Sequence, residues 1–127
     1  MADQPLVFIC SPYAGDVETN ITYARDALLH SLRRGEAPIA PHLLYPQALR
    51  AGDDRRLGMV AGKTILARCS LLAVYVDLGE SSGMRSEVSF AMRQGIPIER
   101  RRIGSPEHEI LDATPPDGTN VVNVDDL

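Results

Sequence analysis

Leu71-Leu72-Ala73-Val74-Tyr75-Val76, running on into Asp77-Leu78-Gly79-Glu80-Ser81-Ser82-Gly83-Met84-Arg85-Ser86-Glu87, is the stretch that decides the fold. Its first six residues are apolar on both faces, as a strand covered by helices on two sides must be. Its end is polar and glycine-containing, and a helical pattern follows from Met84 to Gln94, with Val88, Ala91 and Met92 inward and Gly95 as the stop. Ile96-Pro97-Ile98 then opens another short strand. Upstream, a helix is expected from about Arg55 to Cys69, with Leu57, Val60, Ile65 and Leu66 on one side. Gly58 and Gly62 weaken it by roughly 1 kcal/mol each relative to Ala. Farther upstream, Leu6 to Cys10 reads as a buried strand ended by Ser-Pro. Ile21, Ala24, Leu28 and Leu32 give a helix from about Val17 to Arg34, stopped by Gly35. Ala37 to Ala40 is a weak second strand, and Tyr45 to Arg50 contains one helical turn. In the tail, Thr114-Pro115-Pro116-Asp117-Gly118 signals a turn, and Val121-Val122 is expected to form a last strand.

Strands that alternate with helices predict an α/β domain, a Rossmann-like or flavodoxin-like sandwich. Its sheet is expected to be mostly parallel, with four or five strands and helices on both faces. A length of 127 residues fits one domain over 1–127, with a core of about 5–103 and a C-terminal extension, 104–127. Thirteen basic against seventeen acidic residues give a net charge of −4, which argues against binding a nucleic-acid polymer. The longest apolar run, Leu71 to Val76, is far short of the ~20 residues of a membrane helix. The opening MADQPLVFIC lacks a basic, apolar leader pattern, and Cys10 and Cys69 do not make a disulfide framework. A cytoplasmic protein with reduced thiols is therefore expected. His30, His42 and His108 have no ligand-like spacing, so no metal and no cofactor are expected. Arg100-Arg101-Arg102 reads as a solvated strand end, or otherwise as a phosphate or subunit contact.

Ligands of such sheets bind beyond the carboxyl ends of the strands. Two loops fall on that rim. The first, Ser11 to Asp16, is neither GxGxxG nor a Walker A loop. Its hydroxyl, its Gly15 and the backbone N–H groups of a helix start can hold a phosphate or sugar hydroxyl, and Tyr13 can stack on a base. The second leads through Ser81, Ser82 and Gly83 to Glu87, near a helix N-terminus that favours an ionised carboxylate. A carboxylate there can attack a sugar carbon. The plainer alternative is a solvated glutamate paired with Arg85 or Arg93, with Ser81 as a helix cap.

The runs ICSPYAGD, PHLLYPQAL and ESSGMRSEVSFAMRQGIPI, with Asn20 and Tyr23-Ala24, resemble a small phage-associated family of uncharacterised function, over about residues 5–103. That family is similar to the nucleoside 2-deoxyribosyltransferase superfamily, which includes 2′-deoxynucleoside 5′-phosphate N-hydrolases and hydroxymethyl-CMP hydrolases. The resemblance implies that Ser81-x-Gly83-x-x-x-Glu87 carries the nucleophile, Glu87. It implies that Ser11 to Gly15 touch base, sugar or phosphate, and that His42 lies near the base. It also implies that Ser81, where enzymes for free nucleosides carry Asp, suits a 5′-monophosphate. The superfamily's sugar-orienting Asp is replaced here by Gly62, with Asp54 and Asp77 as stand-ins.

The expected activity is hydrolysis or transfer at the N-glycosidic bond of a nucleoside 5′-monophosphate. Glu87, Ser81, Asp54 and Asp77 would be catalytic, and Ser11, Tyr13, Gly15, His42, Ser82 and Gly83 would bind the ligand. The alternatives are a non-catalytic nucleotide sensor or sequestering protein on the same scaffold, and a hydrolase of NAD-like ligands. A small-molecule nucleotide or nucleoside is the expected partner, a homodimer or larger assembly the expected state, and a phage-encoded protein in the host cytoplasm the implied setting.

Overall fold

The computed structural model describes residues 3–104 and 110–114. Five strands form one sheet: β1 (Leu6–Cys10), β2 (Ala37–Ile39), β3 (Leu71–Tyr75), β4 (Ile98–Arg101) and β5 (Ile110–Thr114), in the order β2-β1-β3-β4-β5. The first four are parallel, and β5 runs antiparallel beside β4. The helices are α1 (Val17–Arg33), the single turn α2 (Tyr45–Ala48), α3 (Arg56–Leu66) and α4 (Ser82–Gln94), with a 3-10 turn at Pro41–Leu43. This is the expected α/β sandwich. Strand β5 was not expected, and the strand expected at Val121-Val122 lies outside the described residues. Among the described residues no helix is long and apolar enough to cross a membrane.

Side chains alternate across each strand, so the sheet divides the core in two. Val7, Ile9, Ala73 and Tyr75 pack under α1 with Ala27 and, half-buried, Tyr23 and Leu28. Phe8, Cys10, Leu72, Val74 and Ile98 pack on the other face against Leu66 of α3 and Met84, Val88 and Ala91 of α4.

The local signals act largely as expected. Asp16 caps α1, its carboxylate accepting from Thr19 N at 3.2 Å. Ser81 caps α4, its Oγ accepting from Met84 N at 3.3 Å, so the helix starts two residues earlier than the apolar pattern suggested. Gly95 ends it at φ 71°, a left-handed conformation that favours glycine. Helix α3 differs more. Leu57 and Val60 were expected on its inward side, yet they are 63% and 65% exposed, and only Gly62 and Leu66 are buried. The helix docks through its last two turns. Its first half rests on α2, where a Cβ on Gly58 would come within 3.2 Å of Tyr45 Cβ.

Arg100 and Arg101 are a second correction. They are buried rather than solvated, at 4% and 0% exposure. Strand β4 lies between β3 and β5, so its residues alternate between two covered faces. Arg101, on the α1 face, donates to both oxygens of Glu36 at 2.9 and 2.8 Å, to Glu99 at 2.8 Å and to the Tyr75 hydroxyl at 3.1 Å. Arg100, on the opposite face, pairs with Glu80 at 3.3 Å.

Candidate active site

In a sheet ordered 2-1-3-4, the chain leaves β1 and β3 in opposite directions, and a crevice opens between their carboxyl ends. The loop after β1 and the loop after β3 flank that crevice. Buried Asn20, on α1, secures the first of them by donating to the carbonyls of Tyr13 at 2.9 Å and Ala14 at 3.0 Å. Ser11 is buried, Tyr13 half-buried and Gly15 exposed, with φ 101°. Ser11 Oγ lies 2.7 Å from His42 Nε2, so two residues expected from separate parts of the sequence meet here. Burial pushes the His42 imidazole down to about 4, which keeps it neutral at physiological pH.

Glu87 sits in the second turn of α4, half-buried, on the face turned to β1 and α3. Burial pushes its carboxyl up to about 7; a hydrogen bond from the Cys10 thiol and the charge of Lys63 act against that rise. Cys10 is the last residue of β1, fully buried, its Sγ 3.8 Å from Met84 O. Burial, then the neighbouring Glu87 carboxylate, push the thiol well above its usual value, so it stays protonated at neutral pH. Lys63, on α3, carries its ammonium 5.9 Å from the centre of the Phe90 ring, one turn beyond Glu87 on α4. Next to Lys63, Gly62 is buried, yet a Cβ there would meet nothing within 4 Å. The backbone leaves room at the very position where the resemblance places an Asp.

Ser81 caps α4 six residues before Glu87, and Ser82 and Gly83 are exposed in the first turn. The two stand-in aspartates are engaged elsewhere. Asp77 accepts from the Tyr23 hydroxyl at 2.5 Å and from Ile103 N and Gly104 N at 2.9 Å each. Burial raises its carboxyl, but those hydrogen bonds outweigh burial and hold it below the usual range. Asp54 is exposed, accepts from Arg56 N at 2.9 Å just ahead of α3 and pairs with the Arg56 side chain at 2.8 Å. Neither sequence pattern nor spacing pointed to Lys63 or to Cys10 as neighbours of Glu87. The one available signal was that Lys63 is the sole lysine in the chain.

A separate, shallow and open groove runs along α1, lined by Glu18, Thr19, Thr22, Tyr23, Asp26 and Leu78, and does not include Glu87. Among the described residues no three His, Cys, Asp or Glu side chains gather as metal ligands. The crevice offers a neutral imidazole with a hydroxyl, a helix start bearing serines, and a carboxylate that titrates near neutrality.

Such a carboxylate, on the helix after the central strand of a 2-1-3-4-5 sheet, is set in a nucleoside 2-deoxyribosyltransferase-like fold. The 2-deoxyribosyltransferase of the psychrotolerant bacterium Bacillus psychrosaccharolyticus matches 76% of this chain and 72% of its own, at 13% identity and a TM-score of 0.59. A 2-deoxyribosyltransferase from Leishmania mexicana matches 94% of this chain and 79% of its own, at 12% identity and a TM-score of 0.57. The CMP N-glycosidase of Clostridium botulinum matches 82% and 74%, at 15% identity and a TM-score of 0.51. At these identities the likeness is one of fold. By sequence, residues 5–101 match the family described as a domain of unknown function (DUF7768), and the chain belongs to that family. Comparison with curated protein sequences gave no match.

Proposed function

We propose that the protein cleaves the N-glycosidic bond of a nucleoside 5′-monophosphate, passing the sugar to water or to a second base. The observation that carries this reading is the Glu87 carboxyl, half-buried on the helix after the central strand and raised by burial to about 7, with the Cys10 thiol and the charge of Lys63 acting against that rise. In its ionised form Glu87 attacks the anomeric carbon. The carbon–nitrogen bond breaks, its electron pair leaves with the base, and the base takes up a proton. A glycosyl ester on Glu87 results. Water or an incoming base then attacks the same carbon, freeing the carboxylate and releasing the proton lost by the attacking group.

Ser11, Tyr13, Gly15 and His42 would line the base and sugar side. Ser81, Ser82 and Gly83 would meet the phosphate at the start of α4, where backbone N–H groups and the helix dipole favour an anion. An aspartate at position 81 would set a second negative charge a few ångströms from that phosphate, a repulsion of several kcal/mol at an effective dielectric near 20. Ser81→Asp keeps a capping side chain, so the fold should persist while monophosphate affinity falls at least about tenfold. Titration calorimetry with a nucleoside and its monophosphate reads this directly; equal affinities, or an unchanged Ser81→Asp variant, would refute the phosphate assignment. A homodimer or larger assembly is part of the same proposal, and a monomer by light scattering that retains full turnover would remove it.

A specific observation favours a second reading. Asp54 and Asp77 are both held by neighbours, and position 62 carries no side chain, so neither stand-in aspartate is left unengaged to orient a sugar. A nucleotide-binding protein without turnover fits that arrangement. Chromatography for free base, after incubation with a panel of nucleosides, monophosphates and NAD, separates the two: binding without base release supports the second reading.

A further inference from the structure

We propose that Lys63 is a positioning residue for the reaction, the cation that opposes burial at Glu87 and enlarges the ionised share of its carboxyl at neutral pH. This rests on the reading of Glu87 as nucleophile and adds to it a residue that acts through Glu87, without itself touching the reacting atoms. The geometry comes from two helices packed side by side on the sheet. Lys63 projects from the docked half of α3, and its ammonium is stationed over the Phe90 ring at 5.9 Å. Phe90 and Glu87 are three residues apart on α4 and so share a face. The aromatic ring attracts the ammonium through its quadrupole and so fixes it along the edge of α4 on which Glu87 lies. Beside Lys63, a Cβ on Gly62 would meet nothing within 4 Å.

The groups that act on Glu87 divide by element. From β1 comes the Cys10 thiol, a hydrogen-bond donor of no charge. From α3 comes Lys63, the charge that opposes burial. Glu80 in the loop before α4 and Arg100 of β4 pair with each other, and Arg85 on α4 donates to the Glu80 carbonyl. Burial works against the carboxylate, and a half-protonated nucleophile at pH 7 loses half its reactive population. A single ammonium on the neighbouring helix, not in direct contact, shifts the balance back without quenching the carboxylate, as a bidentate arginine would. An incoming phosphate dianion makes the same cation more valuable, because it adds a further push toward the protonated form.

The test is to follow the Glu87 carboxyl directly by carbon NMR in the unliganded protein, with its signal identified by its loss in Glu87→Gln. Lys63→Met keeps the apolar stem over Phe90 and removes the charge. Its Glu87 midpoint should rise by roughly half to one pH unit, and Lys63→Arg should stay near the native value. Turnover of Lys63→Met at pH 7 should fall about two- to five-fold and return to the native level near pH 9, the acid limb moving with the NMR midpoint. An unchanged midpoint in Lys63→Met overturns the inference, even if turnover falls. A shifted midpoint with no base release from any protein upholds the inference about charge and removes the reaction instead.

Discussion

Two buried sites, one on each face of the sheet, treat their ionisable groups in opposite ways. Under α1, Arg101 is wholly enclosed and meets Glu36, Glu99 and the Tyr75 hydroxyl, while Tyr75 in turn bonds His30 Nδ1 at 2.7 Å. Burial raises the Glu36 carboxyl, but hydrogen bonds from Arg101 and Ser31 prevail and hold it below its usual value. On the α3–α4 face, Glu87 has a thiol and a lysine, and its carboxyl is held near 7. The lesson is one of pairing. A buried charge whose hydrogen bonds are all met is fixed in one protonation state and serves the fold. A buried carboxyl left short of partners changes state near pH 7, and that is what acid–base or nucleophilic chemistry requires.

The comparison makes predictions on both sides. The largest effect is expected at Glu87. Glu87→Gln should fold and lose turnover by about a thousandfold or more, because an amide is a poor nucleophile. Near-native release of base would place the chemistry elsewhere and break the contrast. Next is Arg101→Met, which leaves two carboxylates facing an apolar side chain. It should cost about 3–5 kcal/mol in urea unfolding. A loss below about 1 kcal/mol would mean that the network is not the fixed, structural one described.

A smaller effect of opposite sign is expected from Glu87→Gln on stability. The folded carboxyl is raised from 4.5 to about 7, so its favourable neutral form contributes below pH 4.5 and is lost as the pH rises through 7. Removing the charge should stabilise the protein by roughly 2–3 kcal/mol at pH 8.5, at 1.36 kcal/mol per pH unit. Denaturation at pH 8.5 and pH 4.5 should show the gain at the first and little at the second; equal gains would mean that burial does not set this carboxyl. The smallest effect belongs to Tyr23→Phe, which removes one donor from Asp77 but leaves Ile103 N and Gly104 N in place. A cost of about 1–2 kcal/mol is expected from thermal unfolding, with turnover unchanged.

What the sequence revealed depended on how far each signal reached along the chain. Strand β3, both long helices and the Gly95 stop of α4 were legible, because apolar period and capping residues act over a few positions, while Ser81 as the cap of α4 was only the plainer alternative. The pairing of Ser11 with His42 was foreseen in kind but not in contact, since the two lie 31 residues apart. Arg101 was misread for the same reason. Its partners Glu36 and Tyr75 are 65 and 26 residues away, and a run of three arginines looks solvated until the strand has a neighbour on each side. Half of α3 was misassigned because period alone marks an apolar side chain without showing what, if anything, covers it.

The neutral His42 has a consequence for proton traffic on folding. Its imidazole falls from 6.5 to about 4, so its contribution is present above pH 6.5 and is lost as the pH falls through 4. Glu87 behaves in the mirror sense between 4.5 and about 7. Between pH 4.5 and 6.5 the unfolded chain carries an imidazolium and a carboxylate, and the folded chain carries neither charge. Folding therefore moves one proton, in effect, from the histidine to the glutamate and exchanges none with solvent through this pair. The two slopes offset, so mild acid neither strengthens nor weakens the fold through them. Altering one partner uncovers the slope of the other, and the two residues together act as a proton store balanced within the molecule.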